Sequence, residues 1–153
     1  MRGRGVLAGG TVALLATLCL AVGGWQVVRL RAASEAGPLA VVVEPPSSMD
    51  ARAEGTLEIT DACVLLRGPG AVTTLPIFLW QHATWDPTAR TIEIDDEHGG
   101  HLLLRDGDPA ALTGGGGEFA TLEDEMLLWV RQPTAECAAD RWFLTFGASG
   151  PGD

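Results

Sequence analysis

The sequence has no lysine and no tyrosine, so all ten of its basic residues are arginine. Because the glycine run Gly114–Gly117 has no following Lys-Ser or Lys-Thr, it cannot be a phosphate-binding P-loop. The chain also has no G-x-S-x-G motif, which would mark the exposed nucleophile of an α/β-hydrolase. We therefore predict no catalytic residues and no cofactor site.

Basic charge is scarce beyond the first 31 residues. Those residues contain four arginines and no acidic residue, which gives them a charge of +4 within a formal net charge of −10. Subtracting +4 from −10 leaves −14 for residues 32–153. Nucleic-acid phosphates and anionic membrane surfaces bind clusters of basic side chains, which this part of the chain lacks. We predict that the protein binds no nucleic acid.

An uncharged apolar stretch, Val6–Val28, occupies most of the N-terminal part of the sequence. A helix of this length, at about 1.5 Å per residue, spans the roughly 30 Å hydrocarbon core of a membrane. Trp25 and the arginines at positions 29 and 31 are typical of the membrane–water boundary. We therefore predict a single-pass signal anchor within residues 1–31. The small residues of Ala21–Gly23 leave a cleaved signal peptide, and hence a secreted protein, as the alternative.

The three cysteines lie in two different surroundings. Cys19 is part of the apolar stretch, whereas Cys63 and Cys137 lie far apart in the remainder of the chain. We expect the latter two in the first and last strands of a domain, where a closed barrel would place them side by side. This placement predicts a disulfide bond between them. Since disulfides persist in oxidising compartments, the pair favours an extracytoplasmic C-terminal domain.

Short apolar segments follow one another from residue 55 onward, each ended by a turn signal. The first, Gly55–Arg67, changes its alternation at Asp61-Ala62, which predicts one strand with a β-bulge. Pro76 places the early part of a second strand, residues 72–80, at a sheet edge or bulge. Further strands are predicted at residues 91–95, 101–105 and 141–146. The pattern indicates a mainly β protein with a small antiparallel β-barrel or sandwich, of which an OB-like barrel is one form.

One short helix is predicted before the last strand. Thr121 and Asp124 resemble a capping box, and Pro133 bounds the segment. The apolar residues that recur with helical spacing are Leu122, Met126, Trp129 and Val130. We expect this apolar face to close one mouth of the barrel. The glycine run before it is expected to be a flexible joint.

The domain organisation follows from these segments. We predict a signal anchor or signal peptide over residues 1–31, a proline-containing linker over 32–54, an extracytoplasmic β-domain over 55–147 and a flexible tail over 148–153. Within the linker, Leu39–Val43 is apolar enough for an edge strand, but the following Glu-Pro-Pro sequence cannot continue one.

The segment Asp95–His101 has the highest density of possible metal ligands. His98 and His101 lie across a tight turn and could face one ion together with Asp95. The H-x-x-H spacing lacks the helical H-E-x-x-H frame, however, and solvent exposure alone also produces an acidic hairpin tip. These three residues remain candidates for a metal-dependent hydrolase, whereas the favoured prediction is that no metal is bound.

The sequence resembles a loose group of small secreted or membrane-tethered bacterial β-domain proteins of unknown function. The resemblance rests on a C-x-x-L pattern at Cys63, L-P-x-x-L-W at Leu75–Trp80, G-D-x3-L-x-G-G-G at Gly107–Gly116 and C-x4-W at Cys137. It implies an extracytoplasmic location and a small β fold, and it offers no catalytic residues to transfer.

These observations predict a non-catalytic β-domain, anchored in the cell membrane by its N-terminal helix, that serves as an accessory or protein-interaction module. A secreted ligand- or glycan-binding module is the alternative, because sugars stack on aromatic faces. Trp80, Trp85, Trp129 and Trp142 are scattered along the chain, which favours core packing instead. An exposed surface shared by Trp80 and Trp85 would favour the glycan reading. Convergence of His82, His98 and His101 with a carboxylate in a pocket would favour the hydrolase.

Overall fold

The computed structural model describes residues 37–43, 50–95, 99–125 and 127–149. Within these ranges, no helix is both long and apolar enough to cross a membrane. The predicted signal anchor lies outside the described residues, as does His98 of the predicted metal cluster.

The described chain is mainly β-strand, with two short 3₁₀ helices at Pro69–Ala71 and Phe119–Asp124. The strands are β1 (Ala40–Val42), β2 (Ala51–Ile59), β3 (Val64–Arg67), β4 (Thr73–Leu79), β5 (Ala83–Asp86), β6 (Thr91–Asp95), β7 (His101–Leu104), β8 (Pro109–Glu118), β9 (Trp129–Arg131) and β10 (Arg141–Ser149).

Five of these strands form a closed barrel. Their order is β10-β8-β2-β3-β4, and β10 pairs again with β4 to close the ring. Neighbouring pairs are antiparallel except β4 and β10, which are parallel. A ring with an odd number of strands cannot alternate direction throughout, so one parallel pair is required. The predicted small β-barrel is confirmed, and the barrel rather than the sandwich is the architecture observed.

The barrel begins with a tight hairpin, where the sequence predicted a single bulged strand. β2 and β3 pair in antiparallel register, with Leu57 opposite Leu66. The turn between them closes when the Thr60 amide donates to the Cys63 carbonyl at 2.8 Å, and the Thr60 hydroxyl accepts the Cys63 amide at 2.9 Å. The prediction of a bulge was wrong, because the change in alternation at Asp61 marks a reversal of the chain.

A strand from the predicted linker completes the barrel wall. β1 pairs in parallel with the second half of β4, at Ile77–Leu79, whereas β3 pairs with β4 only at Thr73 and Thr74. Leu39 and Val41 pack into the barrel interior, and Ala40 and Val42 pack into a second cluster outside the wall. The β-domain therefore includes residues that lie N-terminal to the predicted boundary at residue 55.

Pro76 occupies a break in the pairing of β4. On one side the pairing with β3 ends at Thr74 and that with β1 begins at Ile77, so Pro76 falls between these partners. On its other side it lies opposite Phe143 of β10. Because proline has no amide hydrogen, it is best tolerated where a ladder is interrupted. The predicted edge position was wrong, since β4 has neighbours on both sides and is buried throughout.

The glycine run is part of a strand and not a flexible joint. Gly114–Gly117 all lie in β8 and pair with β10. A Cβ atom on Gly114 would collide with the Leu144 carbonyl, and one on Gly116 would collide with the Trp142 carbonyl. The glycines therefore allow the close approach of β8 and β10, which is a different use of glycine from flexibility.

A small three-stranded sheet, β5-β6-β7, packs against one end of the barrel core. Ala83, Trp85, Ile92, Ile94 and Leu104 from this sheet belong to the same buried cluster as the barrel interior. Polar contacts fix the sheet to the end of β2, since Asp106 accepts the Ile59 amide at 2.7 Å and Arg90 contacts Asp61 at 2.6 Å. The sheet therefore covers an end of the barrel, a role that the sequence analysis assigned to a helix.

The predicted helix after residue 121 is not formed. A 3₁₀ helix ends at Asp124, and Trp129 and Val130 lie in β9, which pairs antiparallel with β1. Leu122 and Leu127 are buried in the cluster outside the barrel wall. The prediction of a helix was wrong because these apolar residues lie in a 3₁₀ helix and a strand, which together cover the outside of the barrel wall.

The requirement for glycine in β8 can be tested with Gly116→Ala. Overpacking against the Trp142 carbonyl should lower the free energy of unfolding by about 1–3 kcal/mol. Gly68→Ala is the matched control, because Gly68 has a φ of −82° and its nearest neighbours would lie at an ordinary 3.5 Å from the new Cβ. Urea denaturation measures both. Equal stability of the two variants would contradict this role.

Candidate functional site: the strap groove

The long connection before the last strand, residues 119–140, forms what we call the strap. Its first and last residues meet, because the Phe119 amide donates to the Asp140 carbonyl at 3.0 Å. Asp140 also binds the start of β4 twice: its carboxylate accepts the Thr73 amide at 2.7 Å, and its own amide donates to the Thr73 carbonyl at 2.9 Å. The strap is thus fixed at its base to the barrel.

A disulfide bond fixes the strap near its C-terminal end. Cys63 and Cys137 are joined with a Cα–Cα distance of 5.4 Å, and both are buried. The predicted pairing is confirmed. The predicted placement in the first and last strands was wrong, because Cys63 lies in the turn between β2 and β3 and Cys137 lies in the strap. The bond therefore joins a hairpin turn to the strap that covers the barrel wall.

The strap buries the outer side of the barrel wall. The outward side chains of β4 and β10 form a second core with residues of the strap and of β1. Its strap members include Leu122, Leu127 and Cys137, and its wall members include Leu75, Ile77, Trp142 and Leu144. Fully burying one leucine contributes roughly 1.5–3 kcal/mol. This outer core and the disulfide hold the strap as an ordered part of the domain.

The disulfide should be a major source of stability. Cys137→Ser is expected to reduce the free energy of unfolding by about 4 kcal/mol, because the bond closes a long loop in the unfolded chain. The double variant with Cys63→Ser should cost little more, since either change breaks the same bond. Thermal unfolding and thiol labelling of the unreduced, denatured protein provide the measurements. Two reactive thiols at positions 63 and 137 in protein isolated from its native host would contradict the bond.

A groove lies on the strap itself, with a volume of about 730 Å³. Its lining comes from the 3₁₀ helix with Glu125, and from the start of β9 with the segment that follows it. Its lining includes Phe119, Leu122, Glu123, Glu125, Trp129, Gln132, Pro133, Thr134 and Ala138. Phe119, Leu122, Trp129 and Pro133 are the large apolar members, so the groove has an apolar floor in an ordered segment.

Acidic side chains surround this floor. Glu123 and Glu125 line the groove and are exposed, and Glu118 and Glu136 are exposed beside it. Residues 118–140 contain six acidic residues and one arginine, which gives them a net charge of −5. The groove therefore combines apolar surface with a strongly negative surrounding potential.

Exposed apolar residues lie on the strap and beside it. Leu128 is 67% exposed and Val43 is 40% exposed, and the Val43 amide donates to the Leu128 carbonyl at 2.9 Å. The Trp80 amide donates to the Val42 carbonyl at 3.0 Å, which places the 37% exposed Trp80 close by. An apolar patch rimmed by polar residues is typical of a protein-interaction surface.

A second cavity, of about 510 Å³, lies at the barrel end opposite to the β2–β3 turn. It is lined by the start of β2, the end of β8 and the start of β10. The Arg52 guanidinium and the Glu54 carboxylate form an ion pair at 2.9 Å at this mouth. Arg141 and Glu118 also line it, so the mouth presents charges of both signs.

Arg67, at the end of β3, contacts two neighbouring strands. Its guanidinium donates to Glu58 at 2.5 Å and to Thr73 at 2.6 Å. The hydrogen bond to Glu58 raises the pKa of Arg67 above its ordinary value. These contacts join β3 to its neighbours β2 and β4 in the wall of the barrel.

The structure places two of the three predicted metal ligands together. His101 Nδ1 lies 3.3 Å from Asp95 Oδ1 and 4.0 Å from Glu93 Oε1. His82, in the turn between β4 and β5, lies 2.5 Å from the other oxygen of Asp95 at the end of β6. His82 and His101 thus contact the Asp95 carboxylate directly. Among the described residues, no three histidine, cysteine or carboxylate side chains are arranged to hold a metal ion.

The tryptophans have divided roles. Trp85 and Trp142 are each 4% exposed and belong to the two cores, as core packing predicts. Trp80 and Trp85 therefore share no exposed surface for stacking a sugar. Trp129 is half-buried and lines the groove.

The sequence did not predict the groove, because its pattern assigned Trp129 to a helix. The one feature of the sequence that could have indicated this site is the acidic run Glu123–Glu125 between apolar residues.

No family model, curated protein or solved structure significantly matches this chain.

Proposed function

We propose that the protein is a non-catalytic interaction module, anchored in a membrane on its extracytoplasmic side, whose strap groove binds another protein. The observation that carries the proposal is the groove itself. An apolar floor that includes Phe119 and Trp129 lies open on a segment held in place by a buried disulfide. Exposed apolar surface rimmed by polar residues is typical of sites that bind other proteins.

The strand order supports an OB-like assignment of the barrel. Counted along the chain, the barrel strands β2, β3, β4, β8 and β10 are ordered 1-2-3-5-4, with the third and fifth parallel. OB-folds bind oligonucleotides and oligosaccharides on strands 2 and 3, between the loops that join strands 1–2 and 4–5. In this chain those loops are the disulfide-linked turn and the strap, and the strap covers the outer wall. This supports a protein partner on the outer surface of the strap.

The apolar stretch at the N-terminus and the buried disulfide support the location. Val6–Val28 is long enough to span a membrane, and a disulfide between Cys63 and Cys137 persists in an oxidising compartment. A secreted form of the same module remains the alternative location.

The anchor can be tested in the native host. We expect the intact protein to sediment with membranes and to resist extraction with alkaline carbonate, because residues 6–28 hold it in the bilayer. Intact-mass measurement should show the uncleaved chain. A mature N-terminus near residue 24, together with protein in the medium, would replace the anchored form by the secreted one.

The groove can be tested by site-specific photo-crosslinking in the same host. A photoreactive residue at Gln132, which lines the groove, should yield a specific adduct with one protein. Thr88 provides the control position, because it is exposed in the turn after β5 and does not line the groove. Trp129→Ala should abolish the adduct at Gln132. If both positions give the same adducts, or neither gives one, the groove is not a protein-binding site.

A further inference from the structure

We infer that the strap groove binds an arginine side chain of its protein partner, together with the apolar residues that flank this arginine in the partner's sequence. This inference rests on the proposed function, since it specifies the chemistry of the partner at the same groove.

Two carboxylates in the groove have no cation beside them. Glu123 and Glu125 line the groove and are exposed. Within the described part of the chain, neither side chain makes an ion pair or a hydrogen bond. The described lining of the groove also contains no basic side chain. Both carboxylates are therefore available to a cationic group of a bound partner.

The exclusion of water from the groove determines the charge of its occupant. Any partner that fills the groove displaces water from Glu123 and Glu125. A neutral occupant would leave these two charges without hydrogen-bond partners, which is unfavourable, and an acidic one would add repulsion. A cationic occupant replaces the lost water with charge-assisted hydrogen bonds. The net charge of −5 over residues 118–140 also attracts a basic partner at long range.

The aromatic lining favours arginine over lysine. Phe119 and Trp129 line the groove together with Leu122 and Pro133. A guanidinium is planar and weakly hydrated, so it can stack on an aromatic ring and still donate hydrogen bonds to carboxylates at its edge. The alkyl stem of an arginine covers apolar surface at the same time. An ammonium group is more strongly hydrated, so it loses more on entering such a groove.

The size of the groove favours a protein segment over a free small cation. Its volume of about 730 Å³ is larger than one arginine side chain fills. The rest of the lining includes the small apolar residues Ala120, Ala135 and Ala138. Apolar neighbours of the arginine can pack against these residues. A segment with apolar residues on both sides of an arginine therefore complements the whole groove.

A nuclear magnetic resonance titration of the full chain in detergent micelles tests the inference with defined peptides. The probe is an acetylated and amidated pentapeptide with one arginine between two leucines and a glycine at each end. Two comparison peptides carry lysine or citrulline in place of arginine, and citrulline has nearly the shape of arginine without its charge. The arginine peptide should shift the amide resonances of Glu123, Trp129 and Gln132.

The affinities of the three peptides decide the chemistry. The arginine peptide should bind about five-fold more tightly than the citrulline peptide, because it pairs with two exposed carboxylates. It should also bind more tightly than the lysine peptide. Equal affinities of the arginine and citrulline peptides would overturn the inference. A lysine peptide that binds as tightly as the arginine peptide would overturn the assignment to arginine.

The role of the two carboxylates has a matched control. Glu123→Gln with Glu125→Gln should weaken binding of the arginine peptide about five-fold and leave binding of the citrulline peptide nearly unchanged. Asp50→Asn with Glu93→Gln changes the net charge equally at exposed positions that do not line the groove, so it should have little effect on either peptide. Equal losses in the two double variants would show that the overall charge of the protein, and not the groove, attracts the arginine.

The remaining outcomes separate this inference from the proposed function. A specific adduct at Gln132 without a preference for the arginine peptide would overturn the inference and leave the protein-binding groove in place. If acetylated arginine amide binds as tightly as the pentapeptide, the ligand is a small cation and the partner segment is excluded. Binding that appears only after Arg29→Gln with Arg31→Gln would mean that the chain's own arginines occupy the groove, which also overturns the inference.

Discussion

The burial of β4 on both faces is the constraint on which the rest of the structure depends. All seven residues of Thr73–Leu79 are buried, with Phe78 in the barrel interior and Ile77 in the outer core. A strand with two apolar faces needs a covering layer on each side. The barrel supplies one layer, and the strap supplies the other. Without the strap, Leu75, Ile77 and Leu79 would lie on an apolar outer wall in water.

This constraint explains why the disulfide is placed outside the barrel rather than within it. The ring of five strands closes through hydrogen bonds between β4 and β10 and needs no covalent closure. The strap has little regular structure of its own, apart from a 3₁₀ helix and the three residues of β9. Its order depends on side-chain burial and on the bond from Cys137 to Cys63. In a segment of this kind, the outward-facing residues can be substituted while the inward-facing residues stay packed against the barrel wall.

Local sequence patterns predicted the features that depend on neighbouring residues. The alternation of Thr91–Asp95 is a strand as expected, and the two distant cysteines form the expected pair. The features that sequence missed depend on contacts between distant segments. By sequence alone Gly114–Gly117 is typical of a flexible joint, but in the structure it pairs with β10. Leu39–Val43 is typical of an edge strand, but in the structure β1 pairs with the part of β4 that β3 leaves unpaired. The groove was missed for the same reason, because Trp129 takes its strand conformation from β1.

The parallel pairing of β4 with β10 also limits when the domain can fold. The contact of Thr73 with Asp140 joins residues 67 positions apart, and β10 lies near the end of the sequence. The barrel therefore cannot close until nearly the whole domain is available, and such non-local pairing is intrinsically slow. The disulfide likewise joins residues 74 positions apart, so Cys63 is synthesised well before Cys137. The turn that carries Cys63 can form early as a local hairpin, but the bond that fixes the strap has to wait for Cys137, which lies late in the domain.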